Sequence, residues 1–117
     1  MSLAPFYRGD TKEYPFSFTF NGAPVDISGK KLYFTLKTAI GDPDPGVLQK
    51  ILGPFSGPAA VAGTGELVLT STDTAALAPG KYLFDFELVD PAVSPPHVTT
   101  LAKGTVTVLA DVTITAT

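Results

Sequence analysis

Two segments set the limits on what this chain can fold into. In Tyr14-Pro-Phe-Ser-Phe-Thr-Phe20 an aromatic residue stands at every second position, and in Lys81-Tyr-Leu-Phe-Asp-Phe-Glu-Leu-Val89 large apolar residues do the same. A period of two places successive side chains on opposite faces of an extended chain, so each segment reads as a strand with one buried face. Tyr14, Phe16, Phe18 and Phe20 face one way, and Pro15, Ser17 and Thr19 the other. In the second segment Tyr82, Phe84, Phe86 and Leu88 face inward, and Lys81, Leu83, Asp85 and Glu87 outward. Pro15 has no N–H for a ladder, which puts that end of its strand at an edge or a start.

The rest of the chain is punctuated in the same style. Asn21-Gly22 supplies a turn of residues that accept positive φ. Pro24-Val-Asp-Ile-Ser-Gly29 reads as a tight connection with Val25 and Ile27 tucked in, and Lys31-Leu-Tyr-Phe-Thr-Leu-Lys37 as a strand with Leu32, Phe34 and Leu36 inward. From Gly41 to Gly65 the character changes. Gly41-Asp-Pro-Asp-Pro-Gly46 contains only glycine, proline and aspartate, Val47–Leu52 is a candidate short strand, and Gly53-Pro-Phe-Ser-Gly-Pro58 reads as a loop. A long irregular stretch in a compact domain is commonly functional or mobile. Glu66–Thr70 is a further strand, followed by one helical turn over 71–77 with Ser71 or Thr72 as N-cap and Asp73 in its first turn. Pro79-Gly80 ends it. After the proline loop 90–96 come strands over 97–101 and 105–109, with Asp111–Thr115 as a candidate tail strand.

About seven turn-punctuated strands in 117 residues point to one domain, 1–117, that is all-β and built as an immunoglobulin-like antiparallel sandwich. A closed barrel is the rival architecture. The expected core is Phe16, Phe18, Phe20, Leu32, Phe34, Leu36, Leu67, Leu69, Tyr82, Phe84, Phe86, Leu88, Val106 and Val108. Cysteine and tryptophan are both absent, which excludes disulfides, thiolate–zinc sites, a thiol nucleophile and the disulfide-on-tryptophan core of antibody domains. Only 16% of residues are charged and the net charge is −3, without a basic run beyond Lys30-Lys31. That argues against nucleic acid as a partner. No apolar stretch approaches the ~20 residues of a membrane span, and the first residues lack the basic and apolar regions of a signal peptide.

Site chemistry is thin. His97 is the lone histidine and reads as a strand-start residue after a proline; no Gly-x-Ser-x-Gly nucleophile turn accompanies it. Asp85 and Glu87 share one strand face, where alternation alone puts them. Asp42-Pro-Asp44 could offer carboxylates to calcium, yet the spacing of a twelve-residue calcium loop is missing and turn aspartates are the simpler reading. Arg8-Gly9-Asp10 spells the integrin tripeptide but fits a glycine turn with Asp10 capping the amides of Thr11 or Lys12. Gly63-Thr-Gly65 lacks the third glycine and the helix of a phosphate cradle. The expectation is therefore a chain that is not an enzyme and carries no cofactor, metal or catalytic residue.

One ordered set of pieces carries a resemblance. Arg8-Gly-Asp-Thr11 leads into the aromatic strand, the Asn-Gly turn and Pro24-Val-Asp-Ile-Ser-Gly29. Leu32–Lys37 follows; later Thr70-Ser-Thr-Asp-Thr-Ala-Ala-Leu77 precedes Pro79-Gly-Lys-Tyr82 and Phe84–Leu88, and Gly104-Thr-Val-Thr-Val108 comes near the end. In this order the chain resembles small phage and prophage proteins akin to the amino-terminal domain of baseplate upper proteins. The resemblance implies an immunoglobulin-like virion module that docks on neighbouring tail or baseplate subunits, with itself as a further partner. It implies location in the virion, or in the host cytoplasm during assembly. The chain lacks the receptor-binding or trimerising extension of the larger baseplate proteins, which favours a small assembly component. An extracellular immunoglobulin-like ligand-binding or adhesion module is the alternative reading.

Overall fold

A computed structural model describes residues 3–39 and 46–110. In chain order the elements are β1 (Phe6–Tyr7), β2 (Lys12–Ser17), β3 (Thr19–Phe20), β4 (Ala23–Pro24), β5 (Lys31–Lys37) and β6 (Leu48–Leu52). Helix α1 (Gly57–Val61), β7 (Thr64–Leu69), helix α2 (Ser71–Ala75), β8 (Gly80–Asp90) and β9 (His97–Leu109) complete them. Strand dominates, so the chain is all-β as its alternation predicts. The main sheet has the order β1-β9-β8-β5-β6 and curls into a half-barrel. All its pairs are antiparallel except β1 with β9, which run parallel. A two-stranded sheet of β2 and β7 and a small hairpin of β3 and β4 accompany it.

The inward residues of the main sheet are those that the period of two selects. Leu32, Phe34 and Leu36 of β5 meet Tyr82, Phe84, Phe86 and Leu88 of β8 and Val106 and Val108 of β9. Leu67 and Leu69 of β7 and Tyr14 of β2 belong to the same buried cluster. Its centre is aromatic. The Phe86 ring lies 5.0 Å from Phe34, 5.9 Å from Phe84, 6.0 Å from Phe18 and 6.3 Å from Phe16, centroid to centroid. Tilted and edge-on pairs at such separations add attraction beyond area burial.

Phe20 departs from the expected core: it is 73% exposed. The segment Tyr14–Phe20 is not one strand, because pairing with β7 ends at Ser17 opposite Thr64. Beyond that point β7 offers no partner. The Phe18 amide instead donates to the Gly63 carbonyl, and its own carbonyl accepts from Val25. Asn21 (φ 52°) and Gly22 (φ 79°) form the two-residue turn that closes β3 on β4, as their residue types predict. The hairpin leaves the sheet and takes Phe20 with it. Phe16 and Phe18 stay packed against the core at its margin.

Further differences have local causes. Gly57–Val61, within the stretch read as irregular, is a helix with proline in its first turn, where a missing N–H costs nothing. It buries Ala60, whose carbonyl accepts from Ile27. The cap of α2 is Thr70, one residue before the expected Ser71 or Thr72. Its hydroxyl accepts from the Asp73 amide while the Asp73 carboxylate accepts from the Thr70 amide, a reciprocal capping box. Strands 97–101 and 105–109 are one strand, β9, with Leu101 as an extra residue between the pairs Phe86–Ala102 and Glu87–Thr100. Phe6 and Leu77 are buried in addition to the expected set, and Ile27 is buried as its tucked-in place predicts. Asp111–Thr115 lies outside the described residues.

Two tyrosines anchor their strands by the hydroxyl. Tyr82, near the start of β8, donates to the Ala78 carbonyl four residues back at 2.6 Å. Tyr14 donates to the Ala4 carbonyl, and burial raises its pKa to about 12. A phenol whose folded pKa lies above its unfolded value stabilises the fold below the unfolded pKa. That contribution is lost as pH rises through the interval from about 10 to about 12. Thermal melts across this interval are expected to fall more steeply for the wild type than for Tyr14→Phe. Equal slopes would remove Tyr14 as the cause.

Candidate functional site

The outer face of the main sheet carries a concavity that brings polar side chains together. Alternation sends Thr35 and Lys37 of β5, Leu83 and Asp85 of β8, and Lys103 and Thr105 of β9 to this face. Register places Thr35, Asp85 and Lys103 in one row across three strands, with Lys37, Leu83 and Thr105 in the next. Because the sheet curls, these rows enclose a groove of about 410 Å³, to whose lining Phe84 and Gly104 of the intervening row contribute. Thr35 is buried there, and its hydroxyl accepts from Gln49 Nε2 of β6 at 3.1 Å.

The groove offers one carboxylate between two ammonium-bearing strands, a lining suited to holding a polar chain against an apolar floor. It does not bring Asp85, Glu87 and His97 together. Asp85 and Glu87 are two residues apart on β8, about 7 Å along the strand, and Glu87 sits in the next row opposite Tyr33 and Thr100. His97 is exposed at the start of β9 and pairs with Asp90, five residues along β8 from Asp85, roughly 17 Å away. A proton relay needs groups within about 3 Å or one water of each other. His97 is a strand-start residue, as its place after Pro96 predicts. Among the described residues no group of three His, Cys, Asp or Glu side chains could hold a metal ion. The calcium reading of Asp42 and Asp44 falls outside the described residues.

Arg8-Gly9-Asp10 is a clamp in the fold. The Arg8 guanidinium donates through Nε to the Leu77 carbonyl at 3.1 Å and through Nη2 to the Ala75 carbonyl, both at the C-terminal end of α2. Those carbonyls have no intrahelical donor of their own, so the cation satisfies them. The Gly9 amide donates to Thr74 Oγ1 at 2.9 Å, and that hydroxyl donates to the Asp10 carbonyl at 2.7 Å. The Asp10 amide closes the turn on the Tyr7 carbonyl. Thr74 and the backbone hold this turn, in place of the expected cap by the Asp10 side chain. Thr74 itself is a site residue that the sequence reading passed over; its one signal is its place in the first turns of a capped helix that faces the core.

Gly63-Thr64-Gly65 is likewise structural. Gly63 sits at φ +73° after α1, and a Cβ there would lie 2.5 Å from the Val25 carbonyl oxygen and 2.8 Å from that of Phe18. Only glycine lets those backbones meet.

Lys50 of β6 pairs with Asp73 of α2 at 2.9 Å, tying the last strand of the sheet to the helix. Partial burial alone would push the Asp73 carboxyl up. The Lys50 ammonium and the amide and hydroxyl of Thr70 outweigh it and hold the carboxyl below the ordinary aspartate value. A depressed carboxylate stabilises the fold above its unfolded pKa and loses that contribution as pH falls through its folded pKa. Acid unfolding of Asp73→Asn is therefore expected to show a shallower pH dependence below about pH 4 than the wild type, read from melting temperature. Superimposable acid limbs would contradict it.

Among the described residues no helix is long and apolar enough to cross a membrane. The chain matches no known family and no characterised protein in sequence.

Proposed function

We propose that the chain is a phage- or prophage-derived structural module of a tail or baseplate, immunoglobulin-like in fold, that works through protein–protein contacts and not through catalysis. The observation that carries this reading is the outer face of the five-stranded sheet. It presents a groove and mixed polar and apolar rows that no other described element covers. The groove's charged groups are spread along strands, which suits a contact surface better than a reaction centre.

Three features support the immunoglobulin-like part. The strand order β1-β9-β8-β5-β6, with β2 and β7 in a second sheet, separates the strands as such sandwiches do. The Tyr82 hydroxyl bound to the Ala78 carbonyl matches the tyrosine corner of that architecture in place and partner. The early strand β1 leaves the main sheet so that β2 can enter the other, an exchange made at the Arg8–Thr11 turn.

The partners under this reading are other tail or baseplate subunits, and the location is the virion or the host cytoplasm during assembly. Mass spectrometry of particles purified after prophage induction in the source cell is expected to find the chain in fixed ratio to tail subunits. Its absence from intact particles, with the protein present in the lysate, would overturn the proposal. The groove also keeps an extracellular ligand-binding role in view, and hits on a glycan or peptide array that vanish in Leu83→Glu would favour that role instead. Arg8 contributes little to an adhesion reading, because its guanidinium is engaged by α2.

A further inference from the structure

The two outer edges of the main sheet are built differently. At the β9 edge the chain uses several devices that discourage another strand: β1 covers its end, Leu101 forms a bulge, and Lys103 follows. Bulges, short covering strands and edge lysines are the usual protection of a sheet edge. Among the described residues, β6 has neither a bulge along Leu48–Leu52 nor a covering strand. Its ladder with β5 is regular from Leu32–Leu52 to Leu36–Leu48, and it contains neither proline nor glycine. Its one charge, Lys50, is drawn onto Asp73 and does not project along the edge as a guard.

On this edge Val47 and Ile51 are 46% and 53% exposed. The register places Gln49 and Ile51 on the outer face with Thr35 and Tyr33, and Val47 lies just before the strand with its amide donating to the Leu36 carbonyl. From this we infer that β6 pairs antiparallel with β6 of a second copy about a two-fold axis at Gln49, forming a ten-stranded sheet across the dimer. The inference rests on the reading of the chain as an assembly module.

The register follows from the side chains. Antiparallel neighbours must share a face, which permits a two-fold at Gln49 or at Lys50 but not between them. A two-fold at Lys50 sets Lys50 opposite Lys50, and like charges directly opposed are unfavourable. A two-fold at Gln49 sets Val47 of each copy opposite Ile51 of the other, Leu48 opposite Lys50, and Gln49 opposite Gln49. Each exposed apolar side chain then covers another, and two amides face each other with donors and acceptors to exchange. The contact is isologous and self-limiting, because the outer edges of the dimer are the protected β1–β9 edges. A five-residue edge buries less than the roughly 1,200 Å² of standard interfaces, so the dimer is a reversible, high-concentration species.

Sedimentation equilibrium of the full chain tests this. The apparent mass of the wild type is expected to rise from one copy toward two between about 10 μM and about 1 mM, the range of weak contacts. Ile51→Lys is expected to hold the protein at one copy throughout. Adding Val47→Glu to Ile51→Lys places Glu opposite Lys at both ends of the pair and is expected to restore the dimer at low salt. Both side chains are exposed, and matching thermal melts establish that each variant folds. A wild type that stays at one copy to about 1 mM, or an Ile51→Lys that associates like the wild type, would overturn the edge pairing. A double variant that stays at one copy would overturn the register. Particle incorporation by a protein with a monomeric solution state would sink the edge pairing alone, whereas a dimer absent from particles would sink the functional reading alone.

Discussion

Phe86→Ala is expected to cost about 3–5 kcal/mol, the range for removing a buried aromatic side chain. That is a large part of the roughly 5–15 kcal/mol that a domain of this kind holds in total. Phe86 is 3% exposed and is the one ring in contact range of Phe16, Phe18, Phe34 and Phe84. Its loss leaves a void between the main sheet and the margin of the β2–β7 sheet, where neighbours held by two ladders cannot collapse inward. Phe20→Ala removes the same atoms from a position that is 73% exposed, and it should change stability by no more than about 0.5 kcal/mol. Urea unfolding of the two variants beside the wild type reads the contrast. Comparable losses at both positions would mean that the aromatic core is arranged differently from this description.

Thr74→Val carries the second large effect, about 1–3 kcal/mol, although the two side chains have almost the same shape. Thr74 is fully buried, and its hydroxyl accepts from Gly9 and donates to Asp10. Valine leaves the half-buried Gly9 amide without that acceptor, and an unsatisfied buried polar group costs about 1–3 kcal/mol, whereas the carbonyl of the exposed Asp10 can turn to water. Thr74→Ser keeps the hydroxyl and loses only a methyl group, so it should retain most of the stability. The order wild type, Ser, Val in denaturant midpoint is the expected result. A valine variant as stable as the serine variant would show that the turn at Gly9 is held by something other than Thr74.

Much of the main sheet was legible in the sequence because its signal is local. In β5 and β8 every second residue is large and apolar, and nothing in the fold interrupts that alternation. The same rule failed at Phe20 because alternation says which face a residue occupies only while a partner strand continues beside it. β7 stops opposite Ser17, a fact fixed by α1 and Gly63 more than forty residues away. The parallel pairing of β1 with β9 joins residues about a hundred positions apart and leaves no periodic trace in a two-residue strand. Thr70 was within reach, since Thr-x-x-Asp is a capping-box spacing; the adjacent Ser71 and Thr72 are equally good caps in isolation, and only the Asp73 contact decides between them. The outer-face groove depends on sheet curl, which residue type alone does not set. The row of Thr35, Asp85 and Lys103 requires a register that only the assembled ladders supply.

The parallel run of β1 beside β9 also determines how the protein meets a pulling force. Chain entering at Leu3 and chain leaving after Leu109 pass each other along the same line, joined by bonds from the Leu3 amide to Thr105 at 3.0 Å and from the Arg8 amide to Leu109 at 2.9 Å. Tension drawn between the two ends acts along these strands and across their bonds, so the bonds bear the load together in shear and do not peel open singly. The Arg8 and Thr74 clamp follows directly behind, so a slipping β1 would have to strip α2 before β2 was reached. Forced unfolding is governed by the height of that barrier and not by net stability. A part that must transmit traction without yielding is well served by placing its first and last strands in this way.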